Sequence, residues 1–257
     1  MPKIEGLPHL IRIMADKEPD FHKKTIHLIN SAFPEFAFHG AVINKYWRNL
    51  YDRYSDYQFG LFDTKSNEYL ALGNSFPLFW DRPMEELPDG GIEWALVSSV
   101  EQNEHGTKPN ILCAFQIITS PNMRGAGLSY KAVEIMTDVA REHGLGPLIA
   151  PVRPNRKSDH PRTSMEDYLA WIRDDGLPHD DWFRVHIRLG GRFIRICQRS
   201  FVVENTIAKW REWTGMEFPT SGDYLVPGAL MPVKIKVESD RGTYIEPNVW
   251  TVHEVPA

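Results

Sequence analysis

Apolar positions along this chain follow two periods, and the switches between them mark out the elements. Leu10-Ile-Arg-Ile-Met14 predicts a first strand. After Pro19, residues Phe21, Ile26, Ile29 and Phe33 recur at a spacing that lines one face of a helix. Ile43, Trp47, Leu50 and Tyr54 do the same for a second helix over 41–54. Residues 57–63 alternate like a half-buried strand, 63–67 are turn-rich, and 68–73 supply the hairpin partner. Residues 81–91 are rich in proline and acids and predict a loop; 91–103 predict a helix with Ile92, Ala95, Leu96 and Val100 inward. The apolar run 111–119 then turns into an amphipathic helix striped by Leu128, Ala132, Ile135, Met136 and Val139, with Gly144 as its C-cap. Another apolar strand covers 146–153. The polar stretch 156–178 holds a short helix at 165–172, and a helix over 180–189 leads into a strand at 192–203. A short helix at 206–214, a loop at 219–232 and strands at 233–237 and 244–253 close the chain.

The most informative of these junctions is strand, short turn, Arg124-Gly125-Ala126-Gly127, helix. The first N–H groups of a helix have no internal partners, and the helix dipole adds partial positive charge there. With glycines before it, such an N-terminus suits a phosphate or pyrophosphate. A P-loop would place Lys and then Ser or Thr after the last glycine, where Leu128 and Ser129 stand. A dinucleotide fingerprint would need a third glycine at Tyr130 and an acid at the end of the next strand, which has none.

Composition adds limits. The chain has 257 residues and a net charge of −5 without a long basic run, which excludes nucleic acid as an expected partner. No apolar segment reaches the length of a membrane span, and residues 1–6 lack a signal core. Cys113 and Cys197 fall in apolar strands and read as buried free thiols of a cytoplasmic protein, a single disulfide staying open. There is no His-Glu-x-x-His, no Cys-x-x-Cys and no Gly-x-Ser-x-Gly, so no metal or serine-hydrolase template is expected. With no repeat and no convincing linker, one domain over 1–257 is the economical reading.

Arg124-Gly125-Ala126-Gly127-Leu128-Ser129 resembles the Arg/Gln-x-x-Gly-x-Gly/Ala signature of the GNAT acyltransferase superfamily. It matches at the first and fourth positions and departs mildly at the sixth, Ser129. The strand–helix–helix–strand–strand opening is similar to the usual entry into that fold. The resemblance implies an α/β protein: one mixed twisted sheet flanked by helices, with a V-shaped split between two central cofactor strands. It implies acetyl-CoA or another acyl-CoA as co-substrate and no metal. Backbone groups of Ile117, Ile118 and Thr119, facing 150–153, would meet the pantetheine arm. Residues 124–129 would meet the pyrophosphate, with Asn155 beyond the second strand. Arg124 would meet the cofactor, with a solvated loop arginine as the bland alternative. Arg153, Arg156 and Lys157 form a basic cluster whose role stays open between a cofactor phosphate, an acidic substrate and a solvated edge. Insertions near 81–110 and 156–180 would shape the acceptor pocket.

In that superfamily a tyrosine in a Tyr-x-x-x-Gly-Phe pattern protonates the departing thiolate. Here the position holds His186, four residues before Gly190. Histidine can give or take a proton near neutral pH, and it can also be a hydrogen-bonded structural residue. The histidine is similar to that of GNAT-like loading domains of polyketide synthases, which pair it with a threonine. Thr163 is the candidate, with a capping box to Glu166 as the bland alternative. Three functions follow: acyl transfer to a small-molecule amine, decarboxylation of a malonyl-type CoA with transfer to a carrier-protein thiol, or CoA binding without turnover. Trp210, Trp213 and Trp250 read as core.

Overall fold

The computed structural model describes residues 3–4, 7–123 and 125–256. Its strands are β1 (Lys3–Ile4), β2 (Leu7–Met14), β3 (Phe59–Asp63), β4 (Glu68–Leu78), β5 (Ile111–Thr119), β6 (Leu148–Val152), β7 (Arg192–Asn205), β8 (Gly222–Tyr224), β9 (Val233–Lys236) and β10 (Arg241–His253). They form one mixed sheet in the order β1-β2-β3-β4-β5-β6-β10-β9-β8, with β7 on the other edge of β10. Every pairing is antiparallel except β5 with β6.

Helices cover both faces, as the sequence pattern requires. They are α1 (Phe21–Ala32), α2 (Ala41–Tyr46), α3 (Asn49–Asp52), α4 (Gly91–Glu104), α5 (Leu128–Glu142), α6 (Met165–Leu169), α7 (Asp181–Arg188) and α8 (Ile207–Thr214). The α5 stripe Leu128, Ala132, Ile135, Met136 and Val139 packs on Leu10, Leu61 and Leu112. Strand side chains alternate between faces, so the neighbours of these residues meet different helices. Ile13 and Leu72 take Phe21, Leu28 and Ile29 of α1. Cys113 and Ile149 take Leu96 and Val100 of α4. Near the β8 end, Trp210 and Tyr244 sit at the centre of another cluster, and Trp210 Nε1 donates to Gly242 O at 2.9 Å.

The structure differs from the sequence pattern at three places. The helix expected over 41–54 breaks after Tyr46, where Leu50 N–H bonds Trp47 O at 3.1 Å in a tight turn before α3. The 219–232 loop contains the short strand β8, paired with β9. The hairpin strand expected to end at Gly73 runs on to Leu78, carried by its ladder with β5. Cys113 and Cys197 are both buried free thiols. Among the described residues no helix is long and apolar enough to cross a membrane.

Candidate active site

The site begins where the sheet opens. Strands β5 and β6 pair only at Leu112–Leu148 and Cys113–Ile149. Beyond those pairs β5 continues with β4 on its outer edge, and β6 continues with β10 on its own. A bulge at Phe115, where Asn74 pairs Gln116 and Ser75 pairs Ala114, bends β5 at the point of divergence. Their facing edges therefore carry backbone N–H and C=O groups without a strand partner, and such groups need other partners when buried. The opening is a cleft of about 1210 Å³. Ile117, Ile118 and Thr119 line one wall, Ala150–Arg153 line the other, and Asn155 lies past the end of β6.

At one end of the cleft stands the N-terminus of α5. Gly125 has φ +81° and Gly127 φ +77°, conformations that L side chains adopt reluctantly. A Cβ at either glycine would meet nothing within 4 Å, so these glycines answer a backbone need and not a packing one. Gly127 is the N-cap and supplies no side-chain cap; the first helical bond is Lys131 N–H to Gly127 O at 3.2 Å. The amides of Leu128, Ser129 and Tyr130 thus have no partner within the helix. The Ala126 amide is already used, donating to Met123 O at 3.2 Å. Gly125, Gly127, Leu128 and Ser129 all line the cleft, and Arg124 lies outside the described residues.

His186 reaches the cleft from α7. Asp180 starts that helix by accepting from the amides of Trp182 (2.9 Å) and Phe183 (3.2 Å). A Schellman turn ends it: Gly191 N–H bonds His186 O at 2.8 Å and Gly190 N–H bonds Ile187 O at 3.0 Å, with Gly190 at φ +78°. The imidazole is 3% exposed. Its Nδ1 lies 2.8 Å from Nε2 of His253 on β10, and the Trp182 ring stands edge-on with centroids 4.4 Å apart. Its Nε2 is buried and has no partner among the described residues. Burial, and then the neighbouring His253, hold the His186 pKa well below the usual imidazole value, so the ring is neutral near pH 7. Burial also lowers the pKa of His253.

The other candidates separate. Thr163 does not line the cleft and is not brought to His186. It sits one residue before the N-cap of α6, which is Ser164: Ser164 Oγ accepts from the Asp167 amide at 3.0 Å. The N-cap lies one residue later than Thr163, and Ser164 Oγ also donates to Asp167 Oδ2 at 2.8 Å. The basic cluster also divides. Lys157 is fully buried, with Nζ donating to Leu230 O (2.8 Å) and His160 O (2.9 Å); burial pulls its pKa down to about 8. It fastens the 156–180 segment to the turn before β9 and offers no surface charge. Arg153 pairs with buried Glu246 (3.0 Å) and donates to Gly228 O (2.9 Å). Only Arg156 is exposed, 3.7 Å from Asp159. His253 and the Arg153–Glu246 pair escaped the sequence pattern because their partners lie 67 and 93 residues away.

No family model matches the chain. It is 32% identical over 270 residues to the arginine N-acetyltransferase avaD of Aspergillus versicolor, covering 94% of this chain and 92% of that protein. Among solved structures it is similar to the loading GNATL domain of CurA from Lyngbya majuscula, with TM-score 0.58, 12% identity and 96% of each chain covered. The GNAT-like decarboxylase GphF, in complex with isobutyryl-CoA, gives TM-score 0.52 at 12% identity, covering 96% of this chain and 99% of that one. At that identity the two structures speak for the fold.

Proposed function

The chain belongs to the GNAT superfamily of acyl-CoA-dependent acyltransferases, and we propose that it is a single-domain cytoplasmic enzyme moving an acetyl group from acetyl-CoA to the α-amine of arginine or a close analogue. The acceptor rests on the similarity to the arginine N-acetyltransferase. The observation that carries the mechanism is the neutral, buried His186, with one nitrogen held by His253 and the other free of protein partners beside the split strands.

The thioester arm would lie between the facing edges of Ile117–Thr119 and Ala150–Arg153, bonding its amides to their backbone groups. The amides of Leu128 and Ser129 would take the pyrophosphate, with Asn155 near the other strand end. His186 Nε2 would accept the proton that the amine loses as its nitrogen attacks the thioester carbon. The C–S bond then breaks, the electron pair stays on sulfur, and His186 returns the proton to the thiolate. A ring whose pKa is depressed is available as a base at neutral pH, and once protonated it is a strong acid for that second step. Both proton roles open to a histidine at this position, base and then acid, are used in this scheme.

The same property bears on which nitrogen of arginine reacts. An α-amino group titrates several units below a guanidinium, so it is the nitrogen that a weak base can deprotonate. Incubating the protein with acetyl-CoA and arginine should release CoA thiol and give one acetylated product, whose fragmentation places the acetyl group on the α-nitrogen. His186→Ala should lower kcat about 10²-fold or more while leaving acetyl-CoA binding within about twofold. Equal losses in both sink the base assignment. Malonyl-CoA decarboxylated without any amine would return the reaction to the polyketide-loading type.

A further inference from the structure

We infer that His253 is a positioning residue for the reaction: it accepts the Nδ1–H of His186 and so keeps the other nitrogen of His186, Nε2, unprotonated and able to take a proton. The inference deepens the base assignment and rests on it.

Three observations converge on the pair. The Nδ1–Nε2 distance of 2.8 Å is a short, well-formed hydrogen bond. Both rings are 3% exposed, so neither nitrogen can turn to solvent for a substitute partner. The chain has also made room for the contact. A Cβ on Gly191 would lie 2.7 Å from His253 Cε1, 2.8 Å from its Nε2 and 2.7 Å from His186 O. The ring of β10 therefore seats against bare backbone at the Schellman turn that ends α7.

A neutral imidazole has one donor and one acceptor nitrogen. The shared bond between two neutral rings must then have one donor, and its identity decides what His186 offers the cleft. If His253 donated, His186 would carry its own proton on Nε2 and be unable to accept one. If His186 donates, Nε2 is a bare lone pair. His186 Nε2 is buried and has no partner among the described residues. Orphaned buried N–H groups are rarer than under-satisfied acceptors, so the proton of His186 sits on Nδ1, in the bond to His253, and Nε2 is the bare nitrogen.

The surroundings do not offer a competing partner. Ionisable side chains on the elements packed here include Asp181, Arg184 and Arg188 on α7, Tyr130 and Arg141 on α5, Arg192 and Arg195 on β7 and Glu254 after β10; β6 carries none, and Arg184 is paired with Asp181. Arg188 donates to Tyr130 Oη at 3.1 Å and Arg141 to Pro256 O at 3.2 Å. Among the described residues none of these side chains hydrogen-bonds either imidazole.

Nitrogen-15 spectra of the histidine-labelled wild-type protein at pH 7.5 test the tautomer without any substrate, with His186→Ala and His253→Phe providing the assignment. The expected spectrum shows His186 protonated at Nδ1 and bare at Nε2. Protonation at Nε2, or a charged ring, overturns the inference. Steady-state kinetics with acetyl-CoA and arginine form the second arm. His253→Phe should lower kcat about 10- to 100-fold with KM for acetyl-CoA unchanged, and should add little to the loss in His186→Ala. His253→Gln, which keeps an acceptor, should recover part of kcat. Full kcat in folded His253→Phe beside an inactive His186→Ala would overturn the pairing alone. Wild-type activity in His186→Ala would instead overturn the base assignment beneath it.

Discussion

Replacing each of the two adjacent glycines after α7 by alanine separates a conformational requirement from a steric one, and only the steric one touches the histidine pair. Gly190 has φ +78°, and a Cβ there would meet nothing within 4 Å. Gly190→Ala therefore carries only the cost of a left-handed L-residue, about 1–2 kcal/mol. Gly191 is not in the left-handed region, but its Cβ would sit 2.7 Å from His186 O and 2.7 Å from His253 Cε1. Ordinary contact between carbon atoms is about 3.5–4.0 Å, so something must move by most of an ångström. The His253 ring can swing away, but the His186 carbonyl is backbone held at 2.8 Å by the Gly191 amide, so the turn that ends α7 must give as well, and both members of the histidine pair are disturbed. Overpacking of this kind costs about 1–3 kcal/mol. Against a typical stability of about 5–15 kcal/mol, both variants should fold. Urea unfolding should show comparable losses for the two. Saturating kinetics should differ: Gly190→Ala keeps kcat within about twofold, whereas Gly191→Ala loses tenfold or more, in the range of general-base effects. Wild-type kcat in Gly191→Ala, or an equal fall in Gly190→Ala, would refute the link between this turn and the chemistry.

Acid should destabilise the protein through the same two rings. Burial lowers both pKa values in the folded state, so above the unfolded value of about 6.5 both states are neutral and stability is flat. As pH falls below it, the unfolded chain binds protons that the folded one refuses, and stability drops by up to about 1.4 kcal/mol per pH unit for each ring. Urea midpoints at pH 7.5, 6.5 and 5.5 should show this slope, flattened in His253→Phe; an unchanged slope in that variant contradicts it. Lys157→Met removes the donor from Leu230 O and His160 O while keeping most of the volume, and should cost about 2–5 kcal/mol. A change in stability below about 1 kcal/mol would show that those carbonyls find other partners.

What could be read in the sequence was whatever a single element determines. The α5 stripe announces both its helix and the face it buries, because every residue involved lies within four turns and is apolar for one reason. The glycine turn before it is legible for the same reason: φ values above zero at Gly125 and Gly127 are demands of the local backbone. The break between α2 and α3 is not legible. No glycine or proline marks it, and it coincides with Trp47, whose Nε1 is drawn 3.2 Å from His22 Nε2 on another helix. The capping box near Thr163 shows the limit of local rules from the other side. Thr163-x-x-Glu166 and Ser164-x-x-Asp167 both satisfy the pattern, and the choice between them falls to the chain's path out of the Lys157 tether.

Charge misled where burial decided. Arg153, Arg156 and Lys157 look alike in sequence, yet one is ion-paired to Glu246, one exposed and one fully enclosed. What assigns them is the position of β10 and of the turn at Leu230, neither of which is near them in the chain. The pair His186–His253 has the same origin. His186-x-x-x-Gly190 declares a helix end, and a helix end with a histidine can be read as a donor, a base or a structural residue. The choice among these needs the partner, and β10 delivers it through a ladder that sets Val252 against Ile149 and His253 against Leu148. Slipping that register by one residue would turn His253 to the opposite face of the sheet. Gly191 is the trace the pairing leaves in the sequence: a second glycine that the C-cap rule does not ask for, small because a ring from elsewhere in the fold must lie against it.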